Sequence, residues 1–152
     1  MRFLHVSGVI IFRVLYYRYM NDQTMTVFVF GNPDVPGDSL PLRVLGEAWR
    51  RLPQCDFVVK DPNEDWDVPE NIIILDTAVG INDVTVFRSL DRFVSAPRLS
   101  MHDFDALANI RYLMKLGKIK NITIIGVPPD MPEDQALTGI VKAISEVSNR
   151  VK

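Results

Sequence analysis

The sequence predicts a single α/β domain, a three-layer sandwich in which a mainly parallel, twisted sheet is flanked by helices on both faces. Short apolar segments rich in β-branched residues alternate with longer segments of helical periodicity, and this alternation is typical of parallel sheets. Several of the short segments are apolar at nearly every position, as strands covered on both faces require. The length of 152 residues corresponds to one domain with a substantial core.

Residues 1–24 differ in composition from the rest of the chain. They are basic, aliphatic and aromatic, and their apolar run Val9–Phe12 is too short to span a membrane. No small-residue cleavage site follows, as a signal peptide would need. Met25 directly precedes the first predicted strand. We therefore expect residues 1–24 to be an N-terminal extension, from an upstream start codon or an added segment, and residues 25–152 to form the domain. His5 is left out of the candidate site for this reason.

The first half of the domain predicts a strand, a helix and a second strand. Residues 26–30 are β-branched and aromatic, which favours a strand. After a loop punctuated by prolines and glycines, Ser39 predicts a helix N-cap, with Pro41 in the first turn and Pro53 beyond the end. The inward-facing stripe of this helix is predicted to comprise Leu42, Leu45, Trp49 and Leu52. Residues 56–60 predict the second strand.

The second half of the domain predicts three strands and two helices. The strands are residues 72–75, 83–87 and 122–127, and the helices are residues 102–116 and 138–151. The inner face of the first of these helices is predicted to comprise Phe104, Leu107, Ile110, Leu113 and Met114 or Leu116. That of the last helix is predicted to comprise Ile140, Val141, Ile144 and Val147.

The bulk composition excludes several classes of protein. With 47% hydrophobic and 24% charged residues, the chain has the composition of a folded globular protein. A net charge of −2 gives no reason to expect nucleic acid or a membrane surface as a partner. Cys55 is the only cysteine, so a disulfide framework and a cysteine zinc cluster are both excluded, and a cytoplasmic setting fits. We interpret Cys55 as a structural thiol.

Three residues that can bind a metal follow strands or open a helix. Asp38 comes after the loop that ends the first strand, Asp76 follows the strand of residues 72–75, and His102 begins a helix. Ligands of open α/β sheets bind beyond the carboxyl ends of the strands. Two carboxylates and an imidazole form a plausible metal site. This triple is the predicted functional site.

Each member of the triple also has a simpler structural interpretation. Asp38 can be an acid that the dipole of a helix N-terminus favours, Asp76 can cap a loop, and His102 can be a helix cap or a surface residue. Other common motifs are missing from the sequence: it contains no G-x-G-x-x-G, no phosphate-binding P-loop, no G-x-S-x-G and no H-E-x-x-H.

The order of elements and the residues at their ends resemble the hydrogenase maturation proteases, the endopeptidases that trim the large subunit of nickel–iron hydrogenases. The resemblance covers the chain from Thr26 to the C-terminus. The family pattern opens with a strand, Gly-Asn, four variable residues, and two acids followed by a glycine. Here the pattern reads Gly31-Asn32, Pro33-Asp34-Val35-Pro36 and Gly37-Asp38-Ser39.

The resemblance extends to the metal ligands of the family. The second acid of the opening pattern is a ligand and falls on Asp38. The second ligand, an aspartate that closes a hydrophobic strand, is matched by Asp76, and the third, a histidine after a Ser-x lead, is matched by His102. Three departures accompany these matches: Gly37 replaces the first acid, Ser39 replaces the glycine, and the segment 61–70 is shorter than the corresponding loop and helix of the family.

The resemblance implies an endopeptidase that removes the C-terminal extension of a nickel-loaded large-subunit precursor of a nickel–iron hydrogenase. The precursor would be the partner and would supply the nickel used for recognition. Asp38 and Asp76 would be oxygen ligands and catalytic carboxylates, and His102 a neutral nitrogen ligand. Which group acts as the base stays open. We expect a cytoplasmic monomer.

Two other functions remain open at this point. One is a non-catalytic module that recognises the hydrogenase large subunit, which the loss of an acid at Gly37 and the short segment 61–70 favour. The other is a zinc-dependent hydrolase of a small substrate that uses the same three ligands.

Overall fold

The computed structural model of the chain describes residues 24–61, 64, 67–91 and 101–150, and for residues 101–107 it describes the helical backbone alone. Within these residues lie five strands, three α-helices and a short 3-10 turn. The strands are β1 (Met25–Val29), β2 (Cys55–Val59), β3 (Asn71–Thr77), β4 (Thr85–Phe87) and β5 (Asn121–Val127). The helices are α1 (Leu40–Arg51), α2 (Met101–Lys115) and α3 (Glu133–Arg150), and the 3-10 turn is Pro36–Asp38. The predicted extension, residues 1–24, lies outside the described residues except for Thr24.

The five strands form one sheet in the order β2-β1-β3-β5-β4. Neighbouring strands are parallel except for β4, which runs antiparallel to β5 at one edge. The prediction of a mainly parallel sheet is therefore confirmed. The chain first moves from β1 outward to β2 and then crosses to β3 on the other side of β1. This reversal makes a topological switch point between β1 and β3, where open α/β sheets bind their ligands.

The helices cover both faces of the sheet, which confirms the three-layer prediction. One hydrophobic cluster joins α1 and α3 to the sheet through residues such as Val29, Leu75 and Val127. A second cluster, on the opposite face, joins Ile110 of α2 to residues such as Ile74. Successive side chains of a strand point to opposite faces, so the nearly continuous apolar strands serve both clusters.

The predicted inward stripe of α1 is confirmed except at Trp49: Leu52 is buried, and Leu42 and Leu45 are partly buried against the core. The buried residues of this helix are Leu40, Pro41, Val44 and Ala48. Trp49, predicted to face inward, is 43% exposed. The core cluster includes Ala48 together with Ala136 and Ala143 of α3. Alanines at a helix contact allow the backbones to approach closely, and a tryptophan there would keep the helices apart.

The other helices follow the predicted faces more closely. Ile110 is buried, Leu113 and Met114 pack against the second cluster, and Leu116 is exposed. Phe104 and Leu107 are in the part of α2 whose side chains lie outside the described residues. The helix α3 begins at Glu133, five residues earlier than predicted. Its first turn holds acids that stabilise a helix N-terminus. Three of the four residues predicted to face inward are buried, and the fourth, Val141, is partly buried.

None of the helices in the described part of the chain is both long and apolar enough to cross a membrane.

Candidate functional site at the carboxyl edge of the sheet

Asp38 is held close to β1 by a loop that folds back on itself. The backbone N–H of Asn32 donates a hydrogen bond to the Asp38 carbonyl oxygen at 3.2 Å. Gly31 has a φ of 148°, and a Cβ placed on it would lie 2.7 Å from that same oxygen. Only glycine allows this approach without movement of the backbone. The Gly-Asn of the sequence pattern therefore fixes the turn that carries Asp38.

The 3-10 turn places Asp38 in a buried position. The N–H of Asp38 donates to the Val35 carbonyl at 2.9 Å, and the turn lies against both β3 and α1. Asp38 is only 7% exposed. A surface acid that merely complements a helix dipole would be more accessible, since its charge remains hydrated there.

The structure corrects the prediction that the Ser39 side chain caps α1. Ser39 stands directly before the helix, but its backbone is already helical and its hydroxyl makes no capping bond. The hydroxyl instead donates to the Pro36 carbonyl at 3.2 Å and accepts from Arg43 Nη1 at 3.1 Å. The Arg43 Nε also contacts Glu133 Oε1, at 2.9 Å.

The sequence predicted that Asp76 follows the strand of residues 72–75. In the structure, Asp76 is part of β3. It is the sixth of the seven residues of the strand, and it is 7% exposed. Its Oδ1 accepts a hydrogen bond from the Thr77 N–H at 2.7 Å. Strand alternation puts Asp76 on the same face as Ile72 and Ile74, which is the face that α2 covers.

The neighbour of Asp76 on β5 is Gly126. A Cβ at Gly126 would lie 2.8 Å from the Ala78 Cβ and 3.0 Å from the Phe87 Cε2. The chain that leaves β3 therefore passes directly over Gly126, on the face that Asp76 shares. The glycine at position 126 therefore allows Ala78 and Phe87 to pack closely against β5 next to Asp76.

His102 is the second residue of α2, and its side chain lies outside the described residues. The chain that leaves α2 reaches the amino edge of the sheet, where the Lys120 N–H donates to the Glu70 carbonyl at 2.7 Å. A helix of 15 residues spans about 22 Å, comparable to the length of β5. We therefore expect α2 to begin towards the carboxyl edge, on the face of the sheet that Ile110 covers.

Asp38 and Asp76 therefore lie at the same edge of the sheet, and α2 is expected to begin towards it. Asp38 lies on the turn that follows β1, and Asp76 is the sixth of the seven residues of β3, so both acids lie beside the switch point. Among the described side chains, no group of three His, Cys, Asp or Glu residues could hold a metal ion, and the His102 side chain is outside that set. The three-ligand site stays a prediction.

Sequence reasoning missed a buried hydroxyl that follows Asp76 in the chain and lies on the opposite face of the sheet. Thr77 is 4% exposed, and within the described part of the chain its Oγ1 has no hydrogen-bond partner. Thr77 pairs with Val127 and shares the α1 and α3 face with Leu75. A polar residue at the end of an apolar strand was the available signal.

Cys55 is in the core and away from this edge. It is 1% exposed and belongs to the cluster beneath α1. Burial raises the pKa of its thiol to about 11, because the thiolate would lose its hydration. The thiol is therefore neutral at ordinary pH, which supports the interpretation of Cys55 as structural.

The fold, but not the sequence, is similar to that of a known protein. No family model matches the sequence, and no curated protein matches it. The fold is similar to that of the hydrogenase maturating endopeptidase HybD from E. coli, with a TM-score of 0.57 at 17% sequence identity. The similarity covers 81% of this chain and 93% of HybD. It establishes that the two proteins share a fold.

Proposed function

We propose that this chain belongs to the hydrogenase maturation proteases and cleaves the C-terminal extension from a large-subunit precursor of a nickel–iron hydrogenase. The shared fold supports the family, and the sequence pattern from Gly31 to Ser39 supports it independently. We also propose that the protein acts as a cytoplasmic monomer on this precursor, which carries its own nickel.

The observation that carries the proposal is the pair of buried carboxylates at the switch point. Asp38 is buried on the 3-10 turn that follows β1 and packs against β3, and Asp76 is buried near the end of β3. Carboxylate oxygens at the carboxyl edge of a parallel sheet are suited to binding a cation. The oxygen atoms of the two acids, joined by the imidazole nitrogen of His102, fit a divalent ion of borderline softness such as nickel.

The proposed roles follow from this donor set. Asp38 and Asp76 bind the nickel of the precursor through oxygen, and His102 binds it through a neutral ring nitrogen. Three protein ligands leave coordination positions for the groups of the precursor that hold the metal. This contact positions the scissile bond next to the two carboxylates, which are the catalytic residues. One of them accepts the proton of the attacking water.

The test is a cleavage assay with the purified, metal-free protein. It is mixed with a nickel-loaded precursor and with an apo precursor, and release of the C-terminal peptide is measured. Only the loaded precursor is expected to be cleaved. Asp38→Asn, Asp76→Asn and His102→Gln should each abolish cleavage, whereas Asp34→Asn should not. Asp34 is a matched control because it is an exposed acid of the same loop.

Each other outcome points to a different function. Cleavage of both precursors at the same rate would rule out recognition through nickel. A zinc-dependent small-substrate hydrolase would be indicated if metal analysis finds stoichiometric zinc and neither precursor is cut. Binding of the loaded precursor without cleavage would identify a non-catalytic recognition module.

Gly37 is the feature that favours the non-catalytic module, since the family has an acid there. A Cβ at Gly37 meets nothing within 4 Å, and the residue is exposed, so the position has room for a side chain. If the natural protein binds without cutting, Gly37→Glu tests whether the missing acid is the reason. Cleavage gained by this variant would show that it is.

A further inference from the structure

We propose that Arg43 is a positioning residue for Asp38, acting through the hydroxyl of Ser39. The inference rests on the proposed function, because it assigns Arg43 a task at the same site. Arg43 lies on the first turn of α1, and the resemblance to known proteases gives no role to this position. Ser39 stands where the family pattern has a glycine, so the link belongs to this chain.

Three hydrogen bonds restrain Ser39, the residue that follows Asp38. The Ser39 hydroxyl donates to the Pro36 carbonyl at 3.2 Å. This side-chain hydrogen bond links the residue after the 3-10 turn to the first residue of the turn. The Arg43 Nη1 donates to that hydroxyl at 3.1 Å, and the Arg43 backbone N–H donates to the Ser39 carbonyl at 3.0 Å. Arg43 therefore holds both the side chain and the main chain of Ser39.

Arg43 is itself held in place by the last helix. Its Nε lies 2.9 Å from Glu133 Oε1, and Glu133 is the first residue of α3. The rigid planar guanidinium donates to Ser39 and to Glu133 from different nitrogens. One side chain thus connects the 3-10 turn, α1 and α3.

The exposure of these side chains indicates that Arg43 affects the position of Asp38 more than the stability of the fold. The Arg43 and Glu133 side chains are 45% and 60% exposed, and exposed ion pairs contribute at most about 1 kcal/mol. Ser39, in contrast, is buried. Removing Arg43 should therefore leave the fold intact and loosen the short turn that carries Asp38. Metal sites are sensitive to such loosening, since partners of the ligands typically change affinity by roughly 10–100-fold.

The experiment measures metal affinity of the purified full-length protein by calorimetric titration with nickel chloride. Arg43→Met and Ser39→Ala are each expected to weaken binding by roughly tenfold. The double variant should bind no more weakly than either single variant, because both remove the same link. Arg43→Lys should bind with intermediate affinity, since a single ammonium can replace only part of the fork.

Arg50→Met is the matched control for the loss of a surface ion pair. Arg50 is on the same helix, and its Nη1 lies 3.1 Å from Glu47 Oε2, with both side chains about half exposed. We expect this variant to bind nickel as the natural protein does. Arg43→Met and Ser39→Ala binding like Arg50→Met would overturn the inference.

Amide hydrogen exchange keeps this test separate from the test of the proposed function. The Asp38 N–H, which donates to Val35 within the turn, should exchange faster in Arg43→Met and Ser39→Ala but not in Arg50→Met. This measurement needs no metal. If the natural protein binds no nickel, the proposed site fails, and the exchange rates alone decide the role of Arg43. Unchanged exchange in both variants would overturn that role.

Discussion

The hydroxyl of Thr77 is the one buried side-chain polar atom without a hydrogen-bond partner in the described part of the chain. A buried, unpaired hydroxyl destabilises the folded state, because it has lost its bonds to water. Thr77→Val replaces the hydroxyl with a methyl group of similar shape. We expect this variant to raise the free energy of unfolding by about 1 kcal/mol, measured by urea denaturation.

Thr85→Val is the control for the Thr77 prediction. The Thr85 hydroxyl donates an exposed hydrogen bond to the Asp83 carbonyl at 2.8 Å, at the start of β4, so its removal should lower stability or leave it unchanged. A comparable loss in Thr77→Val would contradict the prediction, since it would mean that the Thr77 hydroxyl makes a stabilising bond in solution.

Cys55 predicts a change of stability at alkaline pH. Burial raises the pKa of its thiol from 9.0 to about 11. Below pH 9 the folded and unfolded states both hold the proton. As the pH rises from about 9 to about 11, the unfolded state releases the proton first, and stability falls by about 2 kcal/mol. Cys55→Ala removes this contribution, whereas all other titrating groups remain in both proteins.

The measurement for Cys55 is the free energy of unfolding at several pH values between 8 and 11. The small cavity in Cys55→Ala lowers stability by a constant amount at each pH, so the slopes are compared. The natural protein should lose more stability across this window than the variant. Equal slopes would mean that the thiol is accessible to water in the folded state.

At the scale of single residues, the sequence predicted the acids but not their partners. Asp38 and Asp76 could be predicted because each follows an apolar strand, and the structure buries both of them at the same edge. The link from Ser39 to Arg43 and Glu133 could not be predicted. It joins residues that are far apart in sequence, and it depends on how closely α1 packs against α3.

At the scale of elements, replacing the two helical glycines with alanine is expected to change the free energy of unfolding in opposite directions. A Cβ at Gly46 of α1 meets nothing within 4 Å. Gly46→Ala should therefore stabilise the protein by about 0.5–1 kcal/mol, because alanine loses less backbone entropy in a helix. A Cβ at Gly139 of α3 would lie 2.5 Å from Val84 Cγ2 and 2.8 Å from Val84 Cβ. Gly139→Ala should instead destabilise the protein by roughly 1–3 kcal/mol.

Thermal unfolding of the two alanine variants provides the test, and each serves as the control for the other. They introduce the same substitution in the same kind of element, so helix propensity cancels in the comparison. A Gly139→Ala variant as stable as Gly46→Ala would show that the segment around Val84 moves away at little cost. That result would contradict the tight packing of α3 against the chain leading into β4.

The elements themselves were easier to predict than their faces. The middle of β3 and of β5, residues 72–75 and 122–125, consists almost entirely of isoleucine and leucine, and such short branched apolar segments favour buried strands. The inward face of α1 was harder, because apolar residues occupy two overlapping stripes of that helix. In the structure Ala48 is buried where Trp49 was predicted, because the contact with α3 favours small residues. This preference depends on tertiary packing, so it cannot be predicted from the periodicity of the helix alone.

At the scale of the whole molecule, the sequence predicted the layers but not the order of the strands. Alternating strands and helices predicted a parallel sheet with both faces covered. Nothing in the local pattern indicates that β3 returns to the far side of β1 or that β4 pairs antiparallel at an edge. That order creates the switch point, and it places the turn that carries Asp38, after β1, against the strand that carries Asp76.

The last prediction concerns the domain boundary at Met25. The strand β1 begins at this residue, and the Met25 N–H donates to the Gln54 carbonyl at 3.2 Å. Because β1 lies between β2 and β3, both of its edges are already paired within the described sheet. We expect residues 25–152 to fold alone, with a midpoint of thermal unfolding within a few degrees of the full chain, which corresponds to about 1 kcal/mol. Nickel affinity should also be unchanged, since the candidate site uses no residue before Gly31. A shortened chain that is unfolded, or that binds nickel differently, would instead make residues 1–24 part of the domain or its site.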